Sequence, residues 1–145
     1  MLGFRLYHLE MFALIIGLFL PLFDNTDDLT IIVSGCKSQN GQLYIALYDD
    51  KDVFPAFGKQ LIGKIVPLSK KSQHEFTFKR LAHSTYAIAV FHDLNSNGKL
   101  DKNAFGLPLE PYGFSNNARS TFSAPSFSQA SFLHEKEQSI SIAVK

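Results

Sequence analysis

Residues 40–48, Asn-Gly-Gln-Leu-Tyr-Ile-Ala-Leu-Tyr, contain the strongest indication of the fold. The Asn-Gly pair is typical of a two-residue β-hairpin turn, because both turn positions need a positive φ. Leucine and isoleucine then alternate with tyrosine and alanine, which is the pattern of a strand with one buried face. We therefore predict a hairpin at Asn40-Gly41. In it Cys36 would lie opposite Ile45 as a buried, unreactive side chain.

The rest of the chain also consists of short strand-like segments separated by turns. No window gives a convincing amphipathic helix of ten or more residues. Seven short strands of this kind indicate an all-β fold, an antiparallel β-sandwich, with one long irregular loop at residues 93–126. The predicted strands are residues 29–33, 42–49, 61–68, 73–81, 85–92, 130–133 and 138–144.

Composition limits the function. The chain has 145 residues, a net charge of +1 and one cysteine. That length suits one domain, which we place at residues 29–145. A balanced charge argues against nucleic-acid binding, which needs a strongly basic surface. A single cysteine excludes an internal disulfide framework and a cysteine-rich zinc site.

The first 28 residues are predicted to be a signal peptide or an N-terminal anchor. Residues 11–23 carry no charge, but as a helix they would span only about 20 Å, less than the bilayer core of about 30 Å. This length is typical of the hydrophobic region of a signal peptide. We expect a periplasmic or secreted protein, in contact with a membrane only if this segment is not cleaved.

The irregular loop begins with a pattern typical of calcium-binding loops. Oxygen-bearing side chains stand at positions one, three, five and nine, and Gly98 at position six permits the sharp turn. Position seven contributes a backbone carbonyl in such loops. The candidate ligands in the loop are Asp93, Asn95, Asn97, Lys99 and Asp101.

The loop departs from the full calcium pattern at position twelve, where Ala104 replaces the usual glutamate. A bidentate ligand would have to come from elsewhere, and Glu110 is the nearest acidic residue that follows. The low ligand charge predicts weak Ca²⁺ binding, with a Kd on the order of 10⁻⁴–10⁻³ M. The alternative is a turn held only by side-chain to backbone hydrogen bonds.

A second candidate site follows the calcium-type loop. Glycines and prolines fix the backbone path, and the aromatic residues can pack this segment against the end of the sandwich. Alternatively, exposed aromatic rings beside amide side chains could bind a carbohydrate or a protein ligand. The residues concerned are Tyr112, Phe114, Asn116 and Asn117.

Five motifs occur together in the second half of the chain, namely residues 86–93 (YAIAVFHD), 95–101 (NSNGKLD), 105–110 (FGLPLE), 112–117 (YGFSNN) and 124–127 (APSF). In these motifs the chain resembles the bacterial domain-of-unknown-function family numbered 2141. The resemblance covers nearly all of residues 29–144 and implies an exported β-sandwich of the immunoglobulin or transthyretin kind, with no established activity. The calcium interpretation rests on loop spacing and not on the family.

Enzyme motifs are weak. The histidines are scattered without a zinc-binding spacing, and neither a nucleophile elbow nor a phosphate loop is present. We therefore expect a binding or structural module with no catalytic residue. One alternative is a hydrolase-type enzyme that uses His92, Asp93 or Glu110. Another is a carrier of a small apolar ligand, because 14 phenylalanines could line a cavity between the sheets.

Overall fold

The computed structural model describes residues 24–121 and 123–145, so most of the predicted leader lies outside the described residues. Strands account for 46% of the structure and helix for very little, which confirms the predicted all-β class. Among the described residues, no helix is long and apolar enough to cross a membrane. The elements are β1 (Thr26–Ser34), β2 (Gln42–Tyr48), β3 (Ile62–Pro67), β4 (Gln73–Ala82), β5 (Ser84–Asp93), β6 (Tyr112–Phe114), α1 (Phe127–Ala130), β7 (Phe132–His134) and β8 (Gln138–Ala143).

The strands form two sheets. One has the order β4-β1-β8, and the other has the order β3-β2-β5-β6, with β7 also paired to β5. All pairs are antiparallel except β1 with β8, which is parallel and aligns Leu29 with Gln138. The antiparallel sandwich predicted from the sequence is therefore confirmed in its architecture, with one parallel pair inside it.

The core lies between the two sheets. The residues of β2 and β5 that face it alternate with residues on the outer face, as the period of two requires. Ile31 from β1 and Ile142 from β8 meet this inner face and are almost fully buried. The remaining buried members of the cluster are Leu29, Val33, Leu43, Ile45, Leu47, Phe78, Leu81, Tyr86, Ile88, Val90 and Val144.

The predicted hairpin at Asn40-Gly41 is wrong. β1 pairs with β4 and β8, whereas β2 pairs with β3 and β5, so the segment between β1 and β2 crosses from one sheet to the other. Gly41 has a φ of 85°, and a Cβ atom there would lie 2.1 Å from the carbonyl oxygen of Asp93. The glycine thus allows the start of β2 to pass close to the end of β5.

Cys36 consequently does not pair with Ile45, but its environment is close to the predicted one. The side chain is half-buried and packs against the core. Burial raises the pKa of the Cys36 thiol above its usual value, which disfavours the reactive thiolate.

The stretch predicted as irregular contains regular structure that the pattern did not indicate. Strand β6 is only three residues long, and a short 3-10 turn at Ser115–Asn117 follows it. The strand predicted at residues 130–133 is instead the end of α1 followed by β7. Local capping explains the helix, because the backbone N–H of Ser126 donates to Oε1 of Gln129 at 2.8 Å.

Candidate functional site

Asp93 is the base of the calcium-type loop. It ends β5, and its side chain is fully buried. Oδ1 accepts a hydrogen bond from the backbone N–H of Asn97 at 3.1 Å, and Oδ2 accepts one from that of Gly98 at 2.8 Å. Nε2 of Gln42 donates to Oδ2 as well, at 2.9 Å. The loop therefore turns back onto its own first residue, and Gly98 makes this turn with a φ of 76°.

The other polar residues of the loop converge on Asp101. Nδ2 of Asn95 donates to Oδ2 of Asp101 at 2.7 Å, and Nδ2 of Asn97 donates to Oδ1 at 3.1 Å. The amide oxygens of the two asparagines accept backbone N–H groups within the loop, those of Asn97 and Lys99. The structure thus joins Asn95, Asn97 and Asp101 by side-chain hydrogen bonds, whereas Asp93 contacts this group through the backbone N–H of Asn97.

Glu110 joins the two ends of the loop. Its carboxylate is almost fully buried, and Oε1 accepts the backbone N–H of Leu94 at 2.8 Å. Oε2 accepts the backbone N–H of Asp101 at 3.0 Å. The sequence suggested Glu110 as a bidentate metal ligand. In the structure Glu110 lies beside the loop, and both of its carboxylate oxygens accept backbone N–H groups. In this arrangement Glu110 fixes the distance between the first and last turns of the loop.

The electrostatics of the loop are unbalanced. The loop and its closing residue carry three carboxylates, those of Asp93, Asp101 and Glu110, and every donor that the structure gives them is uncharged. None of the three takes part in an ion pair within the described residues. The described part of the chain also has no group of three or more His, Cys, Asp and Glu side chains converging as a metal centre. Two of the four candidate side-chain ligands in this loop are asparagines, which are not among these four residue types.

A cleft of about 500 Å³ lies on the outer face of the β3-β2-β5-β6 sheet, beside the loop. Its floor is formed by outward-facing residues of β2 and β5. Three loops form its sides, with lining residues at positions 55 and 57, between 100 and 108, and at positions 120, 121, 123 and 124. The lining of the cleft includes Tyr44, Tyr48, Phe57, Ala89, Phe91, Leu100, Lys102, Leu107, Tyr112, Phe114 and Thr121.

Aromatic rings dominate the cleft floor. Tyr44 stacks on Phe91, with ring centroids 5.2 Å apart and planes inclined by 19°. Phe57 packs against Tyr44, with centroids 5.2 Å apart, although half of the Phe57 side chain remains exposed. Burial raises the pKa of Tyr48 to about 12, so this phenol stays neutral and donates to the carbonyl of Ala56. The floor is therefore uncharged and largely rigid.

The second group of predicted ligand-binding residues is divided by the structure. Tyr112 and Phe114 line the cleft. Asn116 and Asn117 do not line it, because their amides bond to backbone groups beyond the 3-10 turn. Nδ2 of Asn116 donates to the carbonyl of Ser131 at 2.8 Å, and Oδ1 of Asn117 accepts the N–H of Ala143 at 2.9 Å. The two amides thus tie the turn to neighbouring segments.

The residues proposed for a hydrolase do not form a catalytic group here. Nε2 of His92 lies 2.8 Å from the carbonyl oxygen of Asn40, and its Nδ1 is buried without a hydrogen-bond partner. Asp93 and Glu110 instead hold backbone N–H groups of the loop. Asp93 and Glu110 therefore bond the same loop, whereas Nε2 of His92 bonds the segment before β2.

Sequence analysis missed most of the cleft floor. Tyr44 and Tyr48 stand on the face of β2 opposite the core, where a solvated strand would normally carry charged side chains. An outward face made of Tyr, Ala and Tyr was the feature that could have revealed a covered or ligand-binding surface.

Comparison with known proteins gives one result. Neither a curated protein nor a solved structure matches the chain. The family model described as "Uncharacterized protein conserved in bacteria (DUF2141)" matches residues 31–141, which include most of the sandwich, the loop and the cleft. The chain therefore belongs to this bacterial family.

Proposed function

We propose that this protein is a binding module that takes a small apolar ligand in the outer-face cleft. The observation that carries the proposal is the cleft itself, whose volume of about 500 Å³ lies within the range of ligand pockets, about 300–1,000 Å³. Such pockets combine an apolar lining with a few polar groups that orient the ligand. Here Lys102 and Thr121 supply polar groups at the edge of an aromatic floor.

An apolar ligand fits better than the carbohydrate considered from the sequence. Sugar binding needs hydrogen-bonding side chains beside the aromatic rings. The amides of Asn116 and Asn117 bond the backbone instead. A carrier function also fits, but with the ligand outside the sandwich, because core side chains fill the space between the sheets.

We also propose that residues 93–101 bind Ca²⁺. The donors would be side-chain oxygens of Asp93, Asn95, Asn97 and Asp101 together with the carbonyl of Lys99, and oxygen is the ligand that this cation prefers. A divalent cation would balance carboxylates that otherwise meet only uncharged donors. The affinity is expected in the weak class, with a Kd on the order of 10⁻⁴–10⁻³ M.

The two proposed sites share a wall. Leu100, at position eight of the loop, and Lys102 both line the cleft. A cation that holds the loop in one conformation would therefore hold the cleft in a preorganised shape, which reduces the ordering cost of ligand binding.

The proposed location is the periplasm or the exterior of the cell, with the N-terminal segment acting as the export signal or as an anchor. The uncharged run at residues 11–23 supports export. A weak calcium loop also suits this location, since extracellular calcium modules bind in the same affinity class.

The test of the cleft is to fill it. Ala89 lies on the cleft floor, and Ala89→Phe would occupy the ligand space with a residue that strands favour. The probe is anilinonaphthalene sulfonate, whose rings suit the floor and whose anion suits Lys102. We expect saturable binding to the wild type, weakened about tenfold or more by Ala89→Phe.

The matched control is Ala82→Phe, which adds the same group at an exposed position at the end of β4. It should bind the probe as the wild type does. If the Ala89→Phe protein does not fold, the alternative variant is Phe57→Ser, which removes part of the cleft lining at a half-exposed residue. Equal probe affinity in the wild type and in every folded cleft variant would refute the proposal.

A further inference from the structure

A narrow projection beside the cleft displays apolar side chains to solvent. We name residues 101–109 the finger. Phe105 is 89% exposed, and Leu107 and Leu109 are 59% and 63% exposed. Large apolar side chains so fully exposed and so close together are typical of surfaces that contact another apolar phase.

The finger is a rigid hairpin. Lys102 and Pro108 form an antiparallel bridge, flanked by hydrogen bonds from Asn103 N to Leu107 O and from Leu109 N to Asp101 O, at 2.9 and 2.8 Å. Oδ1 of Asn103 accepts the backbone N–H groups of Phe105 and Leu107. The hydrogen-bonded backbone therefore keeps the ring of Phe105 and the methyl groups of Leu107 and Leu109 exposed.

The same hydrogen bonds lower the cost of entering an apolar medium. Six backbone N–H groups of the finger donate within the protein, those of Asp101, Asn103, Phe105, Gly106, Leu107 and Leu109. Pro108 has no N–H group to satisfy. Unpaired backbone groups are the main obstacle to placing a loop in hydrocarbon, and most N–H groups of the finger are already paired.

Charged residues stand behind the apolar tip in an arrangement that suits a lipid surface. Lys99 and Lys102 are exposed, and long lysine side chains can keep their ammonium groups at headgroup level while the tip enters deeper. The neighbouring carboxylates of Asp93 and Glu110 are buried in backbone hydrogen bonds. Asp101 is half-buried and accepts the side-chain amides of Asn95 and Asn97, so two exposed lysines stand against one partly exposed carboxylate and anionic headgroups would meet a net positive charge.

We propose that the finger inserts Phe105, Leu107 and Leu109 into the surface of a bilayer that contains anionic lipid. A docking face for a protein would be broader, because stable interfaces bury about 800 Å² on each partner. A three-residue apolar tip with lysines behind it is closer to the arrangement of interfacial membrane anchors. The contact does not depend on the ligand or the cation proposed above.

The chain contains no tryptophan, which allows a local test in the full-length protein. Phe105→Trp places a single indole at the tip of the finger. Vesicles of phosphatidylcholine with phosphatidylglycerol are added in the presence of a chelator, which excludes bridging of the lipid by calcium. We expect the emission to shift to shorter wavelength and to be quenched by brominated lipid. With Lys99→Gln and Lys102→Gln added, the apparent vesicle affinity should fall about tenfold or more.

The matched control is Leu133→Trp, in β7. Leu133 is 57% exposed, and β7 pairs with the start of β5, whereas the finger follows its end. Its emission should not change with vesicles, even if residues 11–23 hold the chain on the membrane. Unchanged emission from Phe105→Trp, or equal shifts at both positions, would overturn the proposal. Binding of anilinonaphthalene sulfonate to the Phe105→Trp variant shows separately whether the cleft binds an apolar ligand.

Discussion

At the scale of single residues, buried polar side chains determine the local structure around the site. Asp93 accepts two backbone N–H groups of the loop and one side-chain amide, and it does so with no exposure to solvent. Ser115 is also fully buried, and its hydroxyl accepts the N–H of Ile88 at 2.9 Å. Such groups specify one backbone conformation, because leaving their partners unbonded costs about 1–3 kcal/mol each.

His74 gives a prediction about pH. Burial, with smaller effects from His92 and Lys71, lowers the pKa of His74 below its ordinary value of 6.5. Below that value the unfolded chain binds a proton that the folded chain resists, so unfolding becomes easier as the pH falls. The free energy of unfolding should decrease from pH 7 to pH 5, by at most about 1.4 kcal/mol per pH unit from this residue.

The measurement is urea denaturation of the wild type and His74→Asn at several pH values. The variant should show a flatter decrease in the free energy of unfolding between pH 7 and pH 5. A parallel dependence in both proteins would assign the pH effect to other groups. Asp24 and Asp28, whose pKa values are lowered by hydrogen bonds to Thr26 and to Lys79 respectively, act only at lower pH.

At the scale of elements, the calcium-type loop and the finger are joined through Glu110. The carboxylate holds the start of the loop at Leu94 and the start of the finger at Asp101. One side chain therefore couples the loop to the finger. Motion of the loop and motion of the finger should be linked for this reason.

Glu110→Gln tests this coupling. Glutamine offers one acceptor oxygen instead of two, so one N–H group loses its partner, and local opening should become easier by about 1–3 kcal/mol. Amide hydrogen exchange should then be about 5- to 150-fold faster in residues 94–109 and unchanged in β1, β2 and β5. Glu135→Gln changes an exposed glutamate outside this region and serves as the control. Unchanged exchange in the loop would contradict the bridging function of Glu110.

Sequence analysis predicted the elements that carry a long periodic pattern. β2 and β8 alternate over six to seven residues, so the two faces of these strands follow from side-chain type alone. β6 has only three residues, and no periodic pattern exists at that length. The pairing partner of β1 depends on residues far along the chain, which explains why a local turn motif at Asn40-Gly41 predicted the wrong partner.

The candidate site was likewise predictable in part. Loop spacing proposed Asp93, Asn95, Asn97 and Asp101 as candidate ligands because the calcium motif is contiguous, and the structure shows hydrogen bonds among the last three. The cleft combines β2, β5, β6 and three separate loops, so its lining depends on tertiary packing. The hydrogen-bond partners of Asn116 could not be read from composition, since an amide near aromatic rings can bond either a ligand or the backbone.

At the scale of the whole molecule, the loop is connected to the core through β5, so binding of a cation should stabilise the entire sandwich. Thermal melts in chelator and in about 1 mM CaCl₂ test this. A site with a Kd of about 0.1 mM adds roughly 1.4 kcal/mol to the free energy of unfolding. For a domain of this size the midpoint should rise by about 3–8 °C.

The control for the melts is Asp101→Ala, which should abolish the rise, and MgCl₂ in place of CaCl₂, which should not reproduce it. If the wild type melts at the same temperature in chelator and in calcium, the loop is a hydrogen-bonded turn without a cation. The cleft and the finger would then be explained without metal.

The parallel pairing of β1 with β8 has a consequence for the order in which the protein can be completed. A chain that leaves the ribosome or crosses a translocation channel N-terminus first delivers β1 early and β8 last. Leu29 of β1 aligns with Gln138 of β8. The central strand β1 of the smaller sheet therefore cannot pair with β8 until almost the whole chain has emerged. Non-local contacts of this kind form slowly. We expect the smaller sheet to stay incomplete, and the chain to stay incompletely folded, until β8 has emerged. Passage through a narrow pore requires a chain that has not yet folded.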